Sequence, residues 1–216
     1  MLMKLYKEIE LFKKWANKHY SECNEEHDNG EWELGVNSHY DEMVSAAREV
    51  ITSIDFEDAD ENLIDAMLFV VARDNESEIL ADELLKHEGW FSLLATRSLD
   101  SKYINARWQF AKRVGEVDCC KKLVYEFIKS DDEYTSRMAL QTMADISPDK
   151  AEENAVLFWN RGKYEEGSYE DEYQKIMVLH VLYKIKSEKL EEYLDKAMLS
   201  SYEHLKNNAE EIRKLL

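Results

Sequence analysis

His19, Cys23 and His27 stand four residues apart, with Asp28 adjacent to the last of them. On one continuous helix this i, i+4, i+8 spacing puts two imidazoles and a thiol on a single face. That ligand set suits zinc. The competing reading ends the helix near residue 20 and leaves the three as ordinary loop residues, because no paired-cysteine motif accompanies them. The expectation is no metal and no cofactor, with His19, Cys23 and His27 as the minor alternative.

Other chemistry-bearing residues are less organised. Asp and Glu are so numerous that any two can be paired on paper, and none stands in an apolar setting that would raise its pKa for acid catalysis. A phosphate-cradling glycine loop, a G-x-S-x-G elbow and an H-E-x-x-H pair are all absent from the sequence. His180, within VLHVLYK, reads as a core or boundary histidine rather than a general base. Cys23, Cys119 and Cys120 do not form a disulfide framework: the count is odd, and adjacent cysteines bridge only through a strained ring. No catalytic residue is expected. Trp108, beside Arg107, is one aromatic candidate for a binding surface.

Charge narrows the partners. The net charge is −18, which works against nucleic acid and anionic membranes and favours a basic partner. It is unevenly spread. Residues 21 to 62 hold 14 acids against Arg48, whereas residues 97 to 122 hold seven bases against three acids. No apolar run approaches the roughly 20 residues of a membrane span. The N-terminus carries charge within its apolar pattern, unlike a signal peptide. The expected compartment is the cytoplasm.

The elements that must position these residues read as helices throughout. One proline and six glycines leave little punctuation for strands and turns. Amphipathic periodicity predicts helices over 2 to 20, 39 to 53 and 61 to 73, with Asp58 or Asp60 capping the third. Residues 21 to 37 lose the period and read as an acidic loop. From residue 76 the expected elements are 76–87, 88–98, 101–116, 118–129, 131–145, 149–160, 169–186, 188–199 and 202–215. The division is an N-terminal helical portion, 1 to 75, and helix pairs over 76 to 216, as one continuous domain.

A repeat underlies the second part. SDDEYTSRMALQTMADI at 130 to 146 matches YEDEYQKIMVLHVLYKI at 169 to 185 with a shift of 39, pairing Tyr134 with Tyr173, Met138 with Met177 and Leu140 with Leu179. The preceding helices align as well, with Phe127 on Phe158 and Val124 on Ala155. Asp131, Asp132, Arg137, Ala139, Leu140, Met143 and Ile146 carry a pattern that resembles the second helix of a HEAT repeat, in the wider armadillo-like group. A weaker copy lies in DSKYINARWQFAKRVGEV, and the last copy departs from the pattern by having Ile176 in place of Arg137. The resemblance implies an all-α fold, a HEAT-like right-handed α-α superhelix.

Solenoids offer long surfaces to partners. The expected function is therefore a non-catalytic protein-protein interaction module, an acidic scaffold for a basic partner. Its sharper form is an immunity or inhibitor protein that fills the phosphate-binding cleft of a cationic nuclease. The alternative implied by the resemblance is a HEAT-like DNA glycosylase acting on alkylated bases, which needs a basic groove. One connection, RGKYEEGSY at 161 to 169, is longer than its counterpart in the preceding pair, and insertions in repeat arrays gather on one face. Trp159, Tyr164, Tyr169 and Tyr173 are therefore the expected protein-binding residues, together with Trp108 and Arg107.

Overall fold

A computed structural model of the chain describes residues 1–19, 38–74 and 76–216. Among these the structure is all-helical, with no strands. Cys23 and His27, two of the three candidate metal ligands, and the acidic loop at 21 to 37 lie outside the described residues. Among the described residues no helix is long and apolar enough to cross a membrane.

The fold divides into two compact units, Met1–Leu123 and Val124–Leu216. The first unit contains α1 (Leu2–His19), α2 (Tyr40–Ser53), a 3₁₀ turn (Phe56–Asp58), α3 (Glu61–Arg73), α4 (Ile79–Leu84), α5 (Glu88–Ser98), α6 (Ile104–Arg113) and a 3₁₀ segment (Asp118–Leu123). In α1, Leu5, Ile9, Phe12 and Ala16 recur every three or four residues and are all buried. Asp60 caps α3, its carboxylate accepting from Leu63 N at 2.8 Å. An aromatic chain then crosses the core. Phe12 meets Phe69 edge-on at 6.0 Å, and Phe69 meets Tyr103 edge-on at 5.9 Å.

Two expected helices are shorter than their periodicity suggests. The segment over 76 to 87 becomes α4, six residues long. Glu78 at its start takes a left-handed φ of 53°, which no helical turn continues through. Asp74, from the preceding turn, accepts from Leu80 N at 2.7 Å and supplies the cap from outside. The segment over 118 to 129 is the 3₁₀ segment followed by a single α-turn, α7 (Val124–Phe127).

The second unit holds α7, α8 (Glu133–Ile146), α9 (Pro148–Asn160), α10 (Tyr169–Lys184), α11 (Leu190–Met198) and α12 (Glu203–Leu215). Here α10 is central and packs against α8, α9, α11 and α12. Pro148 stands at the first position of α9, where its missing N–H leaves no helical bond unmade. The repeat register is visible in the packing: Ala139, Leu140 and Met143 of α8 and Val178, Leu179 and Leu182 of α10 are fully buried. Val124, Phe127, Ala155 and Phe158 are buried too, although α7 is a single turn and α9 is 13 residues long.

The two copies differ at their starts. Asp132 caps α8, accepting from Thr135 N at 2.7 Å. Its partner in the alignment, Asp171, lies inside α10, which begins three residues before the aligned Glu172 and is capped by Ser168. Leu140→Ala and Leu179→Ala empty equivalent places in this core. Each should cost about 2 to 5 kcal/mol in chemical denaturation, with no change in secondary structure by circular dichroism. A cost below about 1 kcal/mol at either position would contradict the shared register.

Candidate functional site

The repeat brings two tyrosines to one face of the second unit. Tyr134 begins the exposed side of α8 and Tyr173 takes the matching place on α10; they are 37% and 41% exposed. Arg137, one turn after Tyr134, lays its guanidinium over both rings, 4.6 Å from the Tyr134 centroid and 5.2 Å from that of Tyr173. Such stacking holds a planar cation without removing it from water entirely. Tyr169, one turn before Tyr173 on α10, extends the row. Its ring stacks on Tyr173 at 6.3 Å and 24°, and the residue is 71% exposed.

Beneath this face lies a half-buried ion pair. Arg137 Nε approaches Glu133 Oε1 at 2.9 Å and Oε2 at 3.1 Å, with 18% and 10% of the two side chains exposed. Burial raises the Glu133 carboxyl above the ordinary carboxylate range, and Arg137 opposes the shift. A second guanidinium closes the cluster. Arg161 stacks on Phe158 at 3.7 Å, donates from Nε to Gln174 Oε1 at 2.6 Å and reaches Ser136 Oγ at 3.4 Å. Gln174 in turn donates to the Phe158 carbonyl at 2.6 Å. Arg137 is thus held by Glu133 and the two tyrosine rings, and Arg161 by Phe158, Gln174 and Ser136.

The inserted connection is tied down along its length. Lys163 Nζ donates to the Ser130 carbonyl at 3.0 Å and pairs with Asp131. Tyr164 is half-buried beside Arg161, its hydroxyl 3.5 Å from the Asp131 carbonyl. Gly167, at a φ of 96° that only glycine adopts easily, donates its N–H to the Tyr202 hydroxyl at 2.7 Å. Tyr202 donates to Asp171 at 2.5 Å.

The expected binding residues therefore separate. Tyr169 and Tyr173 stand together on the open face, and Tyr164 packs at its edge as part of the connection. Trp159 is half-buried elsewhere in the unit, edge-on against Tyr193 at 5.0 Å. Trp108 and Arg107 belong to the first unit. Trp108 is 5% exposed, with Nε1 donating to Asn105 Oδ1 at 3.3 Å. Arg107 donates to the carbonyls of Ser98, at 3.0 Å, and Ser101, and so closes the turn between α5 and α6. His19 stacks obliquely on Trp15 at 5.1 Å. Sequence reasoning passed over Tyr134, Glu133, Arg137 and Arg161 as site residues. The signal available was the repeated tyrosine with an arginine at i+3 and a glutamate at i−1.

Compared with protein-family models, curated proteins and solved structures, the chain matches none. The reading of the site rests on its geometry.

The Glu133 carboxyl gives a titration signature. Its raised folded value means the folded chain holds this proton more tightly than the unfolded chain does, whose value is about 4.3. Ionising Glu133 therefore lowers stability as pH rises from that value through the raised one. Glu133→Gln should remove this component, so its stability profile between about pH 4 and 7 runs flatter than that of the wild type. Parallel profiles from denaturant titrations would contradict the assignment.

Proposed function

We propose that the chain is a non-catalytic, HEAT-like protein of the cytoplasm that binds a basic protein segment through the tyrosine face of α8 and α10. The observation that carries the reading is the stacked Tyr169–Tyr173 pair, displayed beside Arg137, which is itself paired with Glu133. Exposed aromatic rings supply buried area on association at low entropic cost. The acids Glu165, Glu166 and Glu170 flank the pair in sequence and are exposed, which favours a basic partner and speeds the encounter. An immunity or inhibitor protein acting on a cationic target is the sharper form of this reading. The basic stretch at 97 to 122 supports it over a DNA glycosylase. Arg97 pairs with Glu61, Lys112 with Glu78 at 2.8 Å, and Arg113 with Glu78 and Asp82 at 2.5 and 2.6 Å.

The tyrosines separate by experiment. Tyr169→Ser with Tyr173→Ser should change stability by less than about 1 kcal/mol, because both rings are largely open. The same double variant should weaken binding of a polybasic peptide at least tenfold by calorimetry. Tyr164→Ser should cost about 1 to 2 kcal/mol of stability, since the ring is half-buried beside Arg161. Its binding should otherwise be unaffected. Full binding by the Tyr169/Tyr173 double variant would overturn the reading.

If acidic charge steers the encounter, the association rate should fall steeply between about 0.05 and 0.5 M salt while dissociation changes little. A salt-insensitive association rate would remove steering from the account.

A further inference from the structure

The first unit contains a groove of about 520 Å³ lined by residues of α1 and α3 and by Tyr103. Clefts of roughly this size hold side chains and small ligands. Its floor is the buried aromatic chain of Phe69 and Tyr103, whose rings meet edge-on. Its rim is acidic. Glu10 comes from α1; Asp60 is the N-cap of α3 and Asp65 lies within it. Two of these carboxylates are held in place. One oxygen of Asp60 accepts from Leu63 N at 2.8 Å, and one oxygen of Asp65 accepts from the Tyr103 hydroxyl at 3.1 Å. Each retains a second oxygen.

The groove already shows what it accommodates. Lys13, on the same wall as Glu10, places its ammonium 4.9 Å above the centroid of Phe69. A flat ring, with carboxylates and a tyrosine hydroxyl lining the same groove, offers what recognises an alkylammonium group, through the ring quadrupole and charge together. An anion would meet the carboxylate rim, and a purely apolar ligand would leave those carboxylates desolvated and unpaired. Tyr6, half-buried in the same wall, has its hydroxyl pKa raised by burial and by the nearby Asp60, so it stays a neutral donor and acceptor beside the carboxylates.

We propose that this groove is a binding site for the ammonium group of a lysine side chain on a partner protein, and that Lys13 is its built-in competitor. The site lies in the other unit from the tyrosine face and rests on separate observations. An incoming ammonium sits between Asp60 and Asp65 over the aromatic floor, and the Lys13 ammonium either swings out or opposes it. A lysine suits the depth of the groove because its flexible stem carries a compact charge, whereas a guanidinium is a broad plane better placed on an open ring.

The test is an NMR titration of the full chain with the peptide acetyl-Gly-Lys-Gly-amide, following the ring resonances of Tyr6, Phe69 and Tyr103. Saturable shifts at those rings are expected, together with about tenfold tighter binding by Lys13→Gln and about tenfold weaker binding by Asp65→Asn. Asparagine keeps an acceptor for the Tyr103 hydroxyl, so Asp65→Asn should fold normally, and its melting temperature checks this. Asp60→Asn, which preserves the helix cap, is the second variant should Asp65→Asn fail to fold. The same peptide carrying acetyl-lysine, with no charge, should not shift the rings. Equal binding of the acetylated peptide, or unchanged affinity in both Lys13→Gln and the asparagine variant, overturns the proposal. The Tyr169→Ser/Tyr173→Ser variant should bind the lysine peptide as the wild type does, so failure of one site leaves the other standing.

Discussion

Each helix begins with N–H groups that have no partner within it, and meeting that need organises both units. Where a side chain meets it among the described α-helices, the acceptor is mostly an acid. Asp60 and Asp132 serve their own helices. Asp74 and Glu172 serve others: Asp74 accepts from Leu80 N, and Glu172 accepts from Leu205 N at 3.0 Å at the start of α12. Asp74 also takes the Tyr40 hydroxyl at 2.5 Å, so one buried carboxylate joins α2, the end of α3 and the start of α4. Burial raises its pKa, and the Tyr40 hydroxyl and the Leu80 and Ile79 N–H groups pull the other way. Part of the large acidic excess is therefore structural and unavailable to any partner.

The repeat was legible because it lies in the side chains that pack. Ala139 and Leu140 against Val178 and Leu179 is a statement about buried volume, and buried volume survives differences in the surrounding backbone. Capping was less legible. The alignment equates Asp132 with Asp171, yet only Asp132 caps its helix. The longer connection before α10 brings Ser168 to the capping place, which frees Asp171 to bind Tyr202 and, at 2.5 Å, Lys175. A local pattern cannot say which of two acceptors three residues apart will be reached by tertiary donors. The short α4 has the same origin: its periodicity is helical, but Glu78 and Asp74 fix where it starts.

The candidate face was legible in part. Tyr169 and Tyr173 follow from their place beside the inserted connection. Trp108 and Arg107 do not, because an adjacent aromatic and base carry no information about which way a helix faces. Trp108 turns into the core of its unit, and Arg107 finds the carbonyls at the end of α5, where a cation is favoured by the helix dipole. Arg137 shows the converse. It belongs to the repeat pattern as a structural residue, and the same guanidinium sets the spacing of the two displayed tyrosines.

Tyr202 has a consequence for how the second unit comes apart. Its hydroxyl is a single node, accepting from Gly167 in the connection and donating to Asp171 in α10, while the neighbouring Glu172 holds the first turn of α12. Fraying of α12 thus cannot be a private event. Releasing Tyr202 unties the connection from the start of α12 and takes one donor from Asp171, whose neighbour Glu172 holds the Leu205 N–H. The backbone amides of Gly167 and Leu205, nearly 40 residues apart, belong to one cooperative opening unit and exchange their hydrogens together.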